Sequence, residues 1–424
     1  MKARVYPLLV FLIFVTASSI QAEETLTWQQ CVSEARQAHP NLYSALAVLQ
    51  QAEADKRITG GGLLPQISLG LSSQNSRNTA GGSGSGELYS YLLSAQQLLY
   101  DGHKTSHVVR SKEESIKAAQ YNYSAVSSDV RFVLRSAFTE LLKAQDLVGL
   151  ANEIALRRRK NVRLINLRYE GGREHIGALR QAEADLAQAE FEVSQSKRGL
   201  RLAQVKLASG LGRDQHKKLR VQGDFRSTDV NVGQPDIEGL ARNNPLFQQL
   251  DAQSKAARFD LDASRSAFVP QLYLNTSAGK SAFDRLPVNT VDWNAGVTVS
   301  VPIYEGGSGR VKVSKAMAVV NQYDAAQKNG YLQIFDFLEE SWKSFQDARQ
   351  MVTVQKKFLD AAVERSSIAS AQYSNGLITF NDWVIIENNL VNAKKGFLNA
   401  EAALLIAEAQ WIHAKGVGLD GQQE

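Results

Sequence analysis

The chain has 424 residues, a formal net charge of +5, 21% charged residues and only eight prolines. So mild a charge implies no nucleic-acid partner, and scarce proline beside ordinary charge argues for ordered helix rather than disorder. The single cysteine, Cys31, excludes an internal disulfide and reads as an idle or buried thiol.

The chain opens with basic Lys2 and Arg4, an apolar core from Leu8 to Val15, and small residues from Thr16 to Ala22. That is the pattern of a secretory leader. Ala17 and Ala22 are both cleavage positions, Ala22 being preferred, which sets a signal peptide over residues 1–22. Trp28-Gln29-Gln30 before Cys31 do not form a lipid-attachment box. No later apolar run reaches the roughly eighteen residues that a membrane-spanning helix requires.

From Thr27 to Thr59 the sequence predicts helix, capped by Thr27, interrupted at His39-Pro40 and ended by Gly60-Gly61-Gly62. After Pro65 the period changes to two. Ile67, Leu69 and Leu71 alternate with Gln66, Ser68 and Ser72, a strand with one apolar face. A Gly/Ser/Asn-rich loop from Asn75 to Gly86 leads to a second strand at about Glu87 to Leu99, with Tyr89, Tyr91, Leu93 and Ala95 on one face. Tyr100-Asp101-Gly102 turns the chain into a helix from about His103 to Tyr169. At 1.5 Å per residue that helix is about 100 Å long. Gly171-Gly172 reverses it, and a return helix runs to Gly212.

The return helix carries Leu179, Ala182, Leu186, Ala189, Val193, Ser196, Leu200, Ala203 and Leu207 at alternating steps of three and four, the spacing of a heptad seam. Adding 204 gives Trp383, Ile386, Leu390, Ala393, Phe397, Ala400, Leu404, Ala407 and Trp411, the same seam again. Asn244-Pro245 stands for His39-Pro40, Val269-Pro270-Gln271 for Leu64-Pro65-Gln66, and Pro302-Ile303-Tyr304-Glu305-Gly306-Gly307 for the first strand-to-helix turn. The third strand shows Leu272, Leu274 and Thr276 on one face; after a loop from Gly279 to Thr290, the fourth alternates from Val291 to Val301. The chain is thus a two-fold internal repeat: residues 23–212, a linker over 213–235, the same plan over 236–416, and a tail over 417–424.

The strands are about ten residues long, enough for a tilted transmembrane strand, and apolar on one face only. Tyr89, Tyr91, Tyr273, Trp293 and Tyr304 suit interfacial girdles. Four strands cannot close a barrel, and an open sheet in lipid leaves two unpaired edges, so a membrane reading requires oligomerisation. Two copies make eight strands, which side chains fill; three make twelve, with room for a lumen.

In the order, spacing and duplication of these features the chain resembles the TolC-type outer-membrane efflux and secretion channels of Gram-negative bacteria. The likeness rests on the Pro65 and Pro270 strand starts, the strand-to-helix turns with Gly102, Pro302, Gly306 and Gly307, and the hairpin tips Tyr169–Gly172 and Tyr373–Gly376. It implies a mainly α protein with long hairpins forming a periplasmic α-barrel, and four β-strands per protomer completing a twelve-stranded barrel in a homotrimer. It implies outer-membrane lipid as surroundings, and as partners a periplasmic adaptor (membrane fusion) protein and an inner-membrane transporter of the RND, ABC or MFS class. Such a duct exports small molecules or proteins and catalyses nothing. The missing lipid box leans toward protein secretion.

The resemblance also places a ring of aspartates after the second tip. Asp382 falls on one such position; Ile385 departs from the other. The bland reading of Asp382 is a first-turn acid on a helix. Gly171, Gly172, Arg173, Glu174, Asn375 and Gly376 would contact the adaptor, with exposed solvated charge the plainer account of Arg173 and Glu174. The basic run Arg157–Lys160 reads by default as a solvated helix face. His103 and His107 lack a third metal ligand at a useful spacing, so no metal, cofactor or catalytic constellation is expected. The competing reading is a poreless periplasmic coiled-coil or adaptor-like protein, which should carry its hairpin once rather than twice.

Overall fold

The computed structural model describes residues 24–78, 84–214, 218–225, 233–283, 286 and 291–421. The predicted leader lies outside them. Each repeat runs short helix, helix, strand, strand, long helix, return helix. In the first these are α1 (Trp28–Ala38), α2 (Pro40–Gly61), β2 (Gln66–Asn78), β3 (Gly84–Tyr100), α3 (Lys104–Glu170) and α4 (Ile176–Leu211). In the second they are α5 (Ile237–Asn243), α6 (Pro245–Ser266), β5 (Gln271–Phe283), β6 (Asp292–Ser300), α7 (Ser308–Ser374) and α8 (Phe380–Ala414). The long helices α3 and α7 have 67 residues each, 204 positions apart, so the duplication read from the seam extends to helix length. At 1.5 Å per residue both are about 100 Å long.

Local chemistry explains the boundaries. Thr27 caps α1 in a reciprocal box with Gln30. Pro40 and Pro245 occupy the first turns of α2 and α6, where no N–H is needed. Gly212 and Gly416, both left-handed, end the return helices against these prolines: a Cβ on either would sit 2.8 Å or less from a proline Cδ. So α4 stacks beneath α2 and α8 beneath α6, each pair running beside one long helix. Asn244 fastens the second joint, its Nδ2 donating to the Ala414 carbonyl at 2.9 Å.

The four strands form one antiparallel sheet in the order β2-β3-β5-β6. Its register makes the alternation coherent, because cross-strand partners share a face. Ile67, Leu69 and Leu71 pair with Ala95, Leu93 and Tyr91. Leu93 and Ala95 pair with Ala278 and Thr276. Leu272, Leu274, Thr276 and Ala278 pair with Val299, Val297, Ala295 and Trp293. One face is therefore apolar throughout, and Trp293 stands 77% exposed on it. The other is mainly polar, though Leu88, Leu92 and Leu98 also lie on it: Ser68 bonds Ser94 at 2.8 Å, Ser72 bonds Ser90 at 2.7 Å, and Asn275 donates to Thr298 at 3.0 Å. A bulge between Leu98 and Tyr100 places Tyr100 opposite Leu272, which turns its ring to the apolar face. Tyr273, predicted for an aromatic girdle, pairs with Thr298 and lies on the polar face instead.

The strands are longer than predicted. β2 and β5 have 13 residues and β3 has 17, so they run into stretches expected to be loop; residues 79–83 and most of 284–290 fall outside the description. A small element went unpredicted: β1 (Glu24–Leu26) pairs in parallel with β4 (Leu219–Val221), inside the supposed linker. Arg213 anchors this corner through Glu24 and Glu34. Cys31 is fully buried beside it, and burial, followed by the nearby Glu34 charge, pushes its thiol up to about 12. The tail is docked: Leu419 is buried in the first repeat's core, its N–H donating to Ser127 at 2.9 Å.

Helices are ordered as the strands are. α2 and α4 pack on α3; α3 packs on α6 and α8; these pack on α7. One edge of the protomer is thus β2 with α2 and α4, and the other is β6 with α7. Both expose apolar side chains, Tyr43, Ile58 and Leu202 on the first, Val311, Leu332 and Phe358 on the second.

Candidate functional site

The two hairpin tips lie side by side. Both turns use one device. Gly172 donates to the Tyr169 carbonyl and Arg173 to that of Arg168; Gly376 donates to Tyr373 and Leu377 to Gln372. Gly172 (φ +65°) and Gly376 (φ +77°) are left-handed, which is why glycine stands there. Gly171, Arg173, Asn375 and Gly376 are exposed. Glu174 is not the solvated charge expected. Its carboxylate accepts from the Tyr373 hydroxyl at 2.9 Å, across the two hairpins.

Tyr373 is the centre of the tip. It is 1% exposed and stacks on Trp383 at 4.5 Å between centroids with 5° between planes. The Arg168 guanidinium lies 4.6 Å over its ring and donates to its carbonyl at 2.9 Å. Burial, then the bond to Glu174, raises the Tyr373 hydroxyl above its usual range, so it stays a donor. Ile165, Leu179, Ala369 and Phe380 complete a core drawn from both hairpins.

One level higher, the basic run corrects its default reading. Arg157 reaches from α3 to Glu387 on α8, with Nε–Oε2 2.5 Å and Nη2–Oε1 2.7 Å, and donates to Ser366 on α7 at 2.5 Å. Ser366 also donates to Glu387 at 2.7 Å. Arg158, buried, bonds Asn388 and lies 3.8 Å from Asp185. Arg159 and Lys160 do fit a solvated face, Arg159 pairing with Glu190 in the open. Glu387 is 1% exposed. Burial alone would raise its carboxyl, but the Arg157 and Ser366 bonds and the guanidinium charge outweigh that and hold it below the usual range. These contacts tie α8 to α3 and α7. Ser366 and Glu387 were not candidates from sequence, and Arg157 was read only as part of the basic run.

Asp382 lies in the first turn of α8 and is exposed. Its N–H donates to Thr379 Oγ1 at 3.2 Å, and its carboxylate accepts from that hydroxyl at 2.6 Å. It is thus a capping acid with a free face, away from the Glu387 node. At the far end, Gly102, Gly306 and Gly307 are all left-handed at the strand-to-helix turns, while Pro302 lies in the connection after β6. His103 takes left-handed geometry where the second repeat has Gly307. No helix of the described residues is long and apolar enough to cross a membrane, and none of them cluster as a metal site.

Known proteins share this architecture. The chain is 23% identical over 355 residues to the pyoverdine export outer membrane protein OpmQ of Pseudomonas aeruginosa, covering 80% of this chain and 74% of that one. It is 21% identical over 385 residues to the cation efflux system protein CusC of Escherichia coli K12, 86% of this chain and 80% of that one. The solved structure of VceC from Vibrio cholerae superposes with a TM-score of 0.81 at 20% identity, over 92% of this chain and 96% of that one. The MtrE channel of Neisseria gonorrhoeae gives 0.81 at 18%, over 93% and 90%. The model of the family described as outer membrane efflux protein matches residues 31–213 and 237–416, both repeats nearly whole. The chain belongs to the outer membrane efflux protein family.

Proposed function

We propose that the protein is the passive outer-membrane exit duct of a tripartite export machine, assembled as a homotrimer. One observation carries this: an open sheet, apolar on one face and polar on the other, whose two unpaired edges continue into two apolar helical edges. Such a strip in lipid must close, since each unpaired backbone group there costs several kcal/mol. β6 of one copy running antiparallel to β2 of the next continues the ladder. Two different edges make a heterologous contact, which closes into a ring. Two copies make a barrel that side chains fill; three make a twelve-stranded one with lipid outside and a hydroxyl-lined lumen. The stacked helices then continue the wall as an α-barrel of about 100 Å.

The duct ends at the hairpin tips. Tyr373–Glu174 and the Arg157–Glu387–Ser366 node hold the second hairpin against the first, and their release would widen the passage. Asp382, exposed on α8, would give one carboxylate per protomer at that end and favour cations. Gly171, Gly172, Arg173, Asn375 and Gly376 are the surface for a periplasmic adaptor, which would couple the duct to an inner-membrane transporter. OpmQ and CusC are named for pyoverdine and cation export, which favours small solutes over the protein cargo first preferred.

Purified protein should run as a heat-sensitive trimer and conduct ions across a planar bilayer. Asp382→Asn should lower cation over anion selectivity at unchanged trimer content. A water-soluble monomer without conductance would exclude the duct.

A further inference from the structure

Where β5 and β6 meet the helices, the structure holds a cavity of about 770 Å³. Gln271 and Ser300 lie at its rim and pair with each other in the ladder, so it opens on the polar face of the sheet. In the trimeric duct proposed above, on which this inference rests, that face is the lumen.

Phe268, Ile303 and Tyr304 supply apolar wall. The Phe268 ring lies against the first turn of α7, where Gly309 makes room: a Cβ there would be 2.8 Å from the ring. The charges do not cancel. Lys312 pairs with Glu305 at 3.8 Å. Lys104 and Arg310 both line the cavity, and neither has an ion pair among the described residues; the one other lining charge is Asp260. That leaves a surplus of one positive charge per protomer. Above it the polar face carries Ser68, Ser72, Ser90, Ser94, Asn275 and Thr298, and its one charged side chain in the ladder is Asp292, at the opposite end of β6 from Ser300.

We propose that this cavity is a luminal transit site for amphipathic anions, molecules with a carboxylate, sulfonate or phosphate on an apolar or aromatic body. Lys104 and Arg310 receive the anionic group while Phe268, Ile303 and Tyr304 take the body. A guanidinium and an ammonium in a partly enclosed site hold an anion more firmly than in open water, because fewer waters compete.

The test uses the full trimer in lipid nanodiscs, titrated with 8-anilinonaphthalene-1-sulfonate, empty nanodiscs serving as background. Saturable binding is expected, weakened at least tenfold in Lys104→Gln/Arg310→Gln and tightened in Asp260→Asn, with trimer content unchanged. Equal affinity in the wild type and the double variant overturns the proposal. So does equally tight binding of a cationic dye, rhodamine 6G, at this site. Bilayer conductance is measured on the same preparations. A conducting trimer that gives no charge-dependent probe binding refutes the transit site alone. A protein that binds the probe as expected but never conducts refutes the duct reading and keeps the anion site.

Discussion

Arg157→Ala tests the tip most directly. In the native protein the Glu387 carboxylate accepts two bonds from Arg157 and one from Ser366, and is 1% exposed. Removing the guanidinium leaves a buried carboxylate with one hydroxyl. Stripping one partner from a fully buried pair costs about 3–5 kcal/mol. The Arg157 side chain is 37% exposed, so solvent already screens part of the interaction. The expected cost is then about 2–3 kcal/mol. If the node holds the tip closed, that shifts each protomer's equilibrium toward the released state by roughly 30- to 140-fold. Single-channel recording in planar bilayers should show higher conductance or longer openings. Arg159→Ala is the control, since its pair with Glu190 is exposed on both sides and contributes little. If Arg157→Ala matches Arg159→Ala in both conductance and heat stability, the node carries no load and the reasoning fails.

Acid should act on the same node. The folded Glu387 value lies below 4.5, so its contribution is full above about that pH and is lost as pH falls through the lower folded value. Conductance of the wild type should rise in that acid window, and Glu387→Gln should abolish the pH step; a step that persists in this variant would assign it elsewhere. Trp383→Ala removes the ring stacked on Tyr373 and should cost about 3–5 kcal/mol, read as a lower heat-dissociation temperature. Gly102→Ala should destabilise more than Gly306→Ala. Both positions are left-handed, worth about 1–2 kcal/mol, but only at Gly102 would the new Cβ meet a neighbour, Val269 at 2.6 Å. Equal melting temperatures for the two variants would refute that ranking.

Much of the fold was legible because long periodic elements obey local rules. The heptad seam fixed both return helices: every predicted seam position from Trp383 to Trp411 is buried or half-buried. Alternation found the apolar face of all four strands, and the glycines at both tips and both strand-to-helix connections marked where the chain turns. What escaped was set by partners distant in sequence. β1 and β4 are three residues each, too short for a period, and exist because each completes the other. Gly84 to Gly86 read as loop from composition, yet they extend β3 because Ser76 to Asn78 stand across from them. Tyr273 alternates like its neighbours, and only the register shows which face it takes.

The tip was less legible for a reason rooted in the repeat itself. The two hairpins meet through α3 of the first and α8 of the second, unlike faces in a heterologous contact. The residues that join them here differ between copies. At 204 positions apart, Arg157 faces Ala361, Ser366 faces Val162, Glu174 faces Ile378, and Asp382 faces Ala178. Even conserved types diverge in setting: Tyr373 is 1% exposed and Tyr169 is 40% exposed. A search for likeness between the halves finds the scaffold and passes over these positions. A search for charged or hydroxyl residues in one half whose counterparts in the other are apolar flags Arg157, Ser366 and Glu174 from sequence alone. Glu387 would still be missed, because its counterpart is also a glutamate, Glu183. Its burial follows only from Arg157 arriving from the other hairpin, which makes the pairing a property of the assembled tip.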